Sequence, residues 1–425
     1  MMDGKPFVLP DSWIESSIGD VVLKAKQRDP RKTPDDKFQY VDVSSVSNHL
    51  FKITGATQTL GSEAPSRARK EIQSNDVLFA TVRPTLKRIA VVPDWLDGQI
   101  ASTGYCVLRT NTEKVDPYYL YFYLITDGFN ARMAGLERGA NYPAVRDSDV
   151  KNTWLPLPPL PEQNKIAHIL STVQRAIEAQ ERIIQTTTEL KKALMQKLFT
   201  EGLRNESQKH TEIGPIPESW EVVELVQKTE SFQYGTSVKC GYEIDGKSVL
   251  RIPNVVGGHV DISDLKFGVP KKNELGKLIL QAGDLLFVRT NGVKENAGRC
   301  SMFNDELEDC YYASYLIRVR LDQRVLSPAF LSEYSRTEVG TSFLSGRSIR
   351  TADGKFNINS GTLKTMLVPV PAIEEQEEIS RSLAVIDNKA TASQAKKSAL
   401  QDLFRTLLHE LMTAKVRVDA IKLAI

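Results

Sequence analysis

Residues 241–248, Gly-Tyr-Glu-Ile-Asp-Gly-Lys-Ser, match the phosphate-binding pattern G-x-x-x-x-G-K-[ST] letter for letter. Such a loop works where an apolar strand turns into a helix, because the amides at the helix N-terminus cradle the phosphates. Here residues 233–240 are mostly polar, and Val249-Leu-Arg-Ile252 reads as a strand stopped by Pro253. The context is inverted, so a P-loop nucleotide hydrolase is kept only as the alternative reading. The histidines His49, His168, His210, His259 and His409 form no H-x-x-x-H or H-E-x-x-H pair. Cys106, Cys240, Cys300 and Cys310 form no C-x-x-C pair. Neither a metal site, a catalytic triad nor a disulfide framework is indicated. Asn141-Tyr-Pro143 only superficially resembles the Asn-Pro-Pro-Tyr motif of amino-methyltransferases, and no Gly-rich loop opens a βαβ unit. No catalytic residue is assigned.

Basic and amide side chains are more informative. Arg83 and Arg289 each follow a strand-like run, in Thr81-Val-Arg-Pro84 and Arg289-Thr-Asn-Gly292. A turn there projects a guanidinium from a rigid edge, and bidentate arginine–guanine pairing is the commonest specific base contact. Two Gly-containing polar loops follow later, with Asn141, Tyr142 and Arg146 in one and Arg347, Arg350 and Lys355 in the other. Such side chains suit base edges and phosphates. The candidate DNA-contacting set is these residues with Arg67, Arg69, Lys87, Arg88, Thr290 and Asn291. Taken singly, each basic stretch (24–32, 67–70, 83–88, 271–277) reads as a solvated loop. The 55 Lys and Arg barely exceed the 53 Asp and Glu, a net charge of +2. Any DNA binding must therefore rest on local patches or on partners. Tyr118, Tyr119, Tyr121, Phe122 and Tyr123 could stack on bases, but a later counterpart keeps Phe330 and Tyr334 and has Ala329, Ser332 and Glu333 elsewhere. That pattern predicts a helix with a core face.

These counterparts belong to an internal repeat. Trp13 returns as Trp220, Asp76-Val-Leu-Phe79 as Asp284-Leu-Leu-Phe287, Tyr123 as Tyr334, and Glu162-Gln163 as Glu375-Gln376. The offsets grow in order from 207 through 208 and 211 to 213, as small loop insertions in a duplicated unit require. Each copy begins with strand-like runs (77–82, 89–92; 285–289, 315–319) broken by turn residues, and a short helix is predicted over 117–125, where Pro117 takes the first helical position. Each is read as an α+β domain. Beyond Pro161 no Gly or Pro occurs until Gly202, which leaves about forty residues, or roughly 60 Å of helix at ~1.5 Å per residue.

A heptad seam runs along that helix through Ile166, Leu170, Val173, Ile177, Gln180, Ile184 and Thr187, continued by Leu190, Leu194 and Leu198. The second copy gives Ile379, Leu383, Ile386, Ala390, Ser393, Lys397 and Leu400, continued by Leu403, Leu407 and Leu411. Gln180, Ser393 and Lys397 make the middle polar, which can fix register. Neither stripe is stable in water, so the two helices are expected to pair antiparallel within the chain.

The chain has 425 residues, 41% hydrophobic and 25% charged, the balance of globular domains rather than of a disordered chain. No apolar run nears the ~18 residues of a membrane span. The first residues lack the basic-then-apolar pattern of a secretory leader, so a cytoplasmic location is expected.

The string Leu155-Pro-Leu-Pro-Pro-Leu-Pro-Glu-Gln163, the helix ending in Leu198-Phe-Thr-Glu-Gly202, Asp284-Leu-Leu-Phe-Val-Arg-Thr-Asn291 and the closing Lys415-Val-Arg-Val418 together resemble type I restriction–modification specificity (S) subunits. The resemblance covers nearly the whole chain. It implies a non-catalytic subunit with target recognition domains at 1–155 and 205–367, a spacer helix at 156–204, and a second helix with a tail at 368–425. Each domain would read one half of a bipartite double-stranded DNA target. The helices would set the spacing and dock two DNA methyltransferase subunits, through Gln163, Ile166, Leu170, Val173, Ile177 and Ile184, and through Gln376, Ile379, Leu383, Ile386, Leu400 and Leu407. Motor-nuclease (restriction) subunits would join them. No cofactor is implied for this chain, since S-adenosylmethionine, ATP and Mg2+ would act in the other subunits. The first copy has Thr81-Val-Arg83-Pro84 where the second has Arg289-Thr-Asn291. A bare coiled-coil scaffold is a further alternative, one that leaves two globular domains without a task.

Overall fold

A computed structural model describes residues 8–418; the sequence reading of the leader rests in part on residues 1–7, outside the described range. The chain divides into two compact units. One runs up to Arg182 and resumes at Ser393; the other is Ile183–Ala392. Each unit is mixed α+β, and the antiparallel four-stranded sheet is built in the same order in both.

In the first unit, strand Tyr105–Thr110 lies between Val22–Leu23 and Val77–Ala80, and Ile89–Val91 closes that antiparallel sheet. A second sheet orders Thr57–Leu60, Lys37–Val41, Ile100–Ser102 and Ala68–Glu71, with Lys37–Val41 and Ile100–Ser102 parallel. In the second unit, Leu316–Leu321 lies between Thr229–Tyr234 and Leu285–Val288, and Cys300–Met302 closes the sheet. Its companion sheet again has one parallel pair, Lys247–Leu250 with Tyr311–Tyr312. The runs Val77–Ala80 and Leu285–Val288 are buried throughout because both of their faces are covered. Asp76 and Asp284, each just ahead of its run, are buried and bidentate to Arg109 (3.0 and 2.9 Å) and Arg320 (2.7 and 2.7 Å).

The short helix Pro117–Ile125 starts where its sequence says it should. Asp116 accepts from the Tyr119 amide at 2.8 Å, and Pro117 needs no amide partner at the first position. Tyr119, Tyr121, Phe122 and Tyr123 are buried while Tyr118 stays exposed, so the helix has the core face its pattern predicts. Its counterpart is Pro328–Tyr334.

The long helices are Leu160–Glu201 and Ile373–Met412. In the first unit, Glu162 meets Arg417 and Glu181 meets Lys397, so the partner numbers fall as the helix advances. In the second, Lys191 meets Asp387 and Arg204 meets Glu375. The segments therefore run antiparallel in each unit. Ile166, Leu170, Leu408 and Leu411 join the core of the first unit, and Leu198, Ile379 and Leu383 that of the second. Gln180, Thr187 and Ser393 are buried polar seam residues, as their spacing predicts. One detail differs: Leu190 and Leu403 are 56% and 46% exposed, while Lys191 and Phe404 turn inward. The four–three spacing continues unbroken from Thr187 to Lys191 and from Lys397 to Phe404. The leucine at the preceding position only imitates the stripe.

Candidate nucleic-acid interface

In the first unit, the turn between Val77–Ala80 and Ile89–Val91 carries Arg83. This residue adopts a left-handed backbone (φ +49°), and a short 3-10 turn, Pro84–Leu86, follows it. The Arg83 amide donates to Pro143 O at 2.7 Å, and Val82 bridges Ala144. The turn is thereby fastened to the loop that contains Asn141, Tyr142 and Arg146. The Arg83 guanidinium lies 5.1 Å from the centroid of the Tyr142 ring, and Tyr142 is 72% exposed. A cation held over an open aromatic face is a firm platform for phosphate or base contact. Asn141, Arg146 and Arg67 are also exposed. Lys87 is paired with Asp127 at 3.0 Å.

The second unit joins the same two segments by a small sheet. Thr290 pairs with Asn357, and Arg350 pairs with Phe356. Arg347, Arg350 and Lys355 are exposed; Arg347 lies 5.5 Å from the Phe343 ring and Lys355 is 3.0 Å from Asp353. Arg289 differs from Arg83. It sits over Tyr234 at 4.9 Å, donates to Ser314 O at 3.3 Å, and buries its Nε without a hydrogen-bond partner. Thr290 and Asn291 are half-buried, and the Asn291 side chain accepts from the Val293 amide at 2.9 Å.

Some sequence candidates are turned to other work. Arg88 donates to the carbonyls of Val43, Ser44 and Val46, and Arg69 donates to Ala68 O at 2.6 Å and pairs with Asp29 at 3.4 Å. Gln163 and Gln376, grouped above with the docking residues, are fully buried. Gln163 accepts from Asp116 N at 2.9 Å and donates to Lys114 O and Pro158 O at 3.1 and 2.8 Å. Gln376 makes the same three bonds to Ser327 N, Val325 O and Pro371 O, at 2.8, 2.9 and 2.9 Å. They pin each long helix to the start of its domain's short helix. Of the other docking candidates, Ile166, Leu170, Ile379 and Leu383 are buried, while Val173, Ile177, Ile184, Ile386, Leu400 and Leu407 stay partly open along the seam.

The P-loop reading is overturned. Residues Lys247–Leu250 form a strand, Gly241 pairs its backbone with Phe267, and the Lys247 ammonium is held 2.6 Å from Asp309. Lys247 and Ser248, which a P-loop places at a helix N-terminus, lie within that strand instead, so their amides are not gathered to receive a phosphate. Among the described residues no cluster of His, Cys, Asp and Glu could hold a metal, and no helix is long and apolar enough to cross a membrane.

Sequence reasoning missed Tyr234 beneath Arg289 and the arginines that close each domain, Arg204 and Arg417. These two stand 213 positions apart, the same offset as Glu162 and Glu375, so the repeat itself held the signal.

Residues 10–188 match the family model described as "Type I restriction modification DNA specificity domain". The type I restriction enzyme MjaVIII specificity subunit of Methanocaldococcus jannaschii is 25% identical, over 96% of this chain and 94% of its own length. Over nearly its whole length the chain is thus similar to type I restriction–modification specificity subunits. A solved chain from a study of "complex assembly and conformational transition of the type I R-M system" covers 97% of this chain at 29% identity, with a TM-score of 0.52 over all of that chain. The S subunit from M. genitalium, 15% identical, shares the fold with a TM-score of 0.62 over 95% of this chain and 98% of its own.

Proposed function

We propose that this chain reads double-stranded DNA for a type I restriction–modification complex, with each unit recognising one half of a bipartite target. One observation carries the reading: each unit fastens the turn after its buried strand to a second polar loop at the same topological position. The first unit would read through Arg83, Asn141, Tyr142 and Arg146, with Arg67 and Lys87 placed for phosphates. The second would read through Thr290, Asn291, Arg347, Arg350 and Lys355. The half-open seam residues would dock two methyltransferase subunits, and motor-nuclease subunits would join that assembly in the cytoplasm. Cofactor chemistry, with S-adenosylmethionine, ATP and Mg2+, would belong to those partners.

With a net charge of only +2, the isolated chain neutralises few phosphates. At physiological salt it should retain DNA weakly and without selection. Adding the methyltransferase subunits should make retention tight and sequence-dependent, and methylation should map to one bipartite motif. Adenine methylation that proceeds with the same pattern when this chain is omitted would overturn the reading.

A further inference from the structure

In each unit, the strand that carries the reading turn back into its sheet is tied to a neighbouring turn. Arg88 donates to Val46 O in the first unit, and Ser301 donates to Val255 O at 2.6 Å in the second. Both valines are fully buried. The chain then folds back, closed by Thr54 N to Ser45 O at 2.9 Å in one unit and by Asp261 N to Asn254 O at 2.8 Å in the other.

Each fold-back contains a left-handed residue, Phe51 at φ +50° and Gly258 at φ +85°. A phenylalanine takes that conformation only under constraint. The constraint is visible, because the carbonyl of that same residue accepts a hydrogen bond in both units. Tyr121 Oη donates to Phe51 O at 2.9 Å, and Arg336 Nη2 donates to Gly258 O. The donor then meets the long helix. Gln174 donates to Tyr121 Oη at 2.9 Å and to Leu50 O at 3.3 Å. Arg336 donates to Glu333 at 3.1 Å and lies 3.9 Å from Asp387, and Lys191 bridges the same two carboxylates at 3.0 and 2.6 Å.

Gln174 and Asp387 are 213 positions apart, the offset of the helix repeat. The connection therefore recurs at equivalent points with different chemistry: an amide–phenol link beside the Lys52–Glu178 ion pair (3.0 Å) in one unit, and an arginine–carboxylate link in the other. A turn that needed only local stability would not require the same helix position twice. We propose that this path is a strut in each unit, and that Gln174 and Asp387 are positioning residues that hold the reading turn in register with the long helix. The inference rests on the proposed DNA-reading function.

The test uses the full chain with its methyltransferase partners and compares methylation rates on the target and on single-mismatch duplexes. Tyr121→Phe should lower discrimination between roughly two- and thirtyfold at one half-site and leave the other unchanged. Arg336→Gln should do the reverse, and Arg336→Lys, which keeps a cationic donor, should restore it. Independently of any partner, Tyr121→Phe should speed hydrogen exchange of the Leu86 and Lys87 amides. Wild-type discrimination in both variants, or equal loss at both half-sites, overturns the strut, as does unchanged exchange at the turn. Methylation that does not depend on this chain at all would instead remove the DNA-reading function, and the exchange result would still report on the strut.

Discussion

Arg417 meets Glu162 with two parallel hydrogen bonds, Nε to Oε1 at 2.8 Å and Nη2 to Oε2 at 3.0 Å. The same carboxylate accepts from the Trp13 indole at 3.1 Å and is 4% exposed. Removing the guanidinium strands a buried charge, which costs about 3–5 kcal/mol where both partners are buried. Arg417 is itself about a third exposed, so Arg417→Ala should destabilise the first unit by less, roughly 1–3 kcal/mol. The urea midpoint of that unit is the measurement.

Asp284 offers a stronger case, being 1% exposed and bidentate to Arg320. Asp284→Ala should cost about 3–5 kcal/mol in the second unit, through the guanidinium left without its partner. Urea unfolding of the full chain should show this loss while the transition of the first unit stays in place. A midpoint within error of wild type would contradict the assignment.

The reading turns should act independently. Arg83→Ala removes the cation over Tyr142 and should relax one half of the methylated motif by roughly 1–3 kcal/mol of discrimination. Arg350→Ala should relax the other half only. Sequencing of methylated adenines reports both halves in one experiment.

Helix length should set the spacing between half-sites. Deleting residues 180–186 and 393–399 together keeps the heptad phase and removes both members of the Lys397–Glu181 pair. The spacer shortens by roughly 10 Å at ~1.5 Å per residue, or about three base pairs at ~3.4 Å each. The methylated motif should shorten accordingly, with reduced rate because the half-sites also rotate about the DNA axis. An active variant that keeps the original spacing contradicts a ruler.

Thiol chemistry gives a simple check of burial. Cys106, Cys300 and Cys310 are buried and their thiols are pushed up to about 12 by that burial, whereas Cys240 is partly open. A maleimide at pH 8 should label Cys240 in the native chain, and all four cysteines of the sequence after unfolding.

What the sequence disclosed was whatever repeats or has a period. The offset between Trp13 and Trp220 gave the duplication, and the spacing from Ile166 to Thr187 gave the seam. What stayed hidden depends on partners far along the chain. Arg88 reads as a basic loop residue, because nothing local announces that carbonyls more than forty positions away will collect its guanidinium. Gln163 reads as part of an exposed stripe until Lys114 and Asp116 arrive to bury it. Leu190 was misplaced for a different reason, because a lysine with two carboxylates to meet can occupy a seam better than an adjacent leucine.

The two closing arginines have a genealogical consequence. Counted along the sequence, Arg204 follows the helix of the first copy, yet it pairs with Glu375 of the second, the carboxylate that also accepts from Trp220. Arg417 follows the helix of the second copy and pairs with Glu162 of the first, which also accepts from Trp13. Each copy gives away the residue that it needs. A single-copy ancestor built on this plan could complete its closure only by trading arginines with a sister molecule.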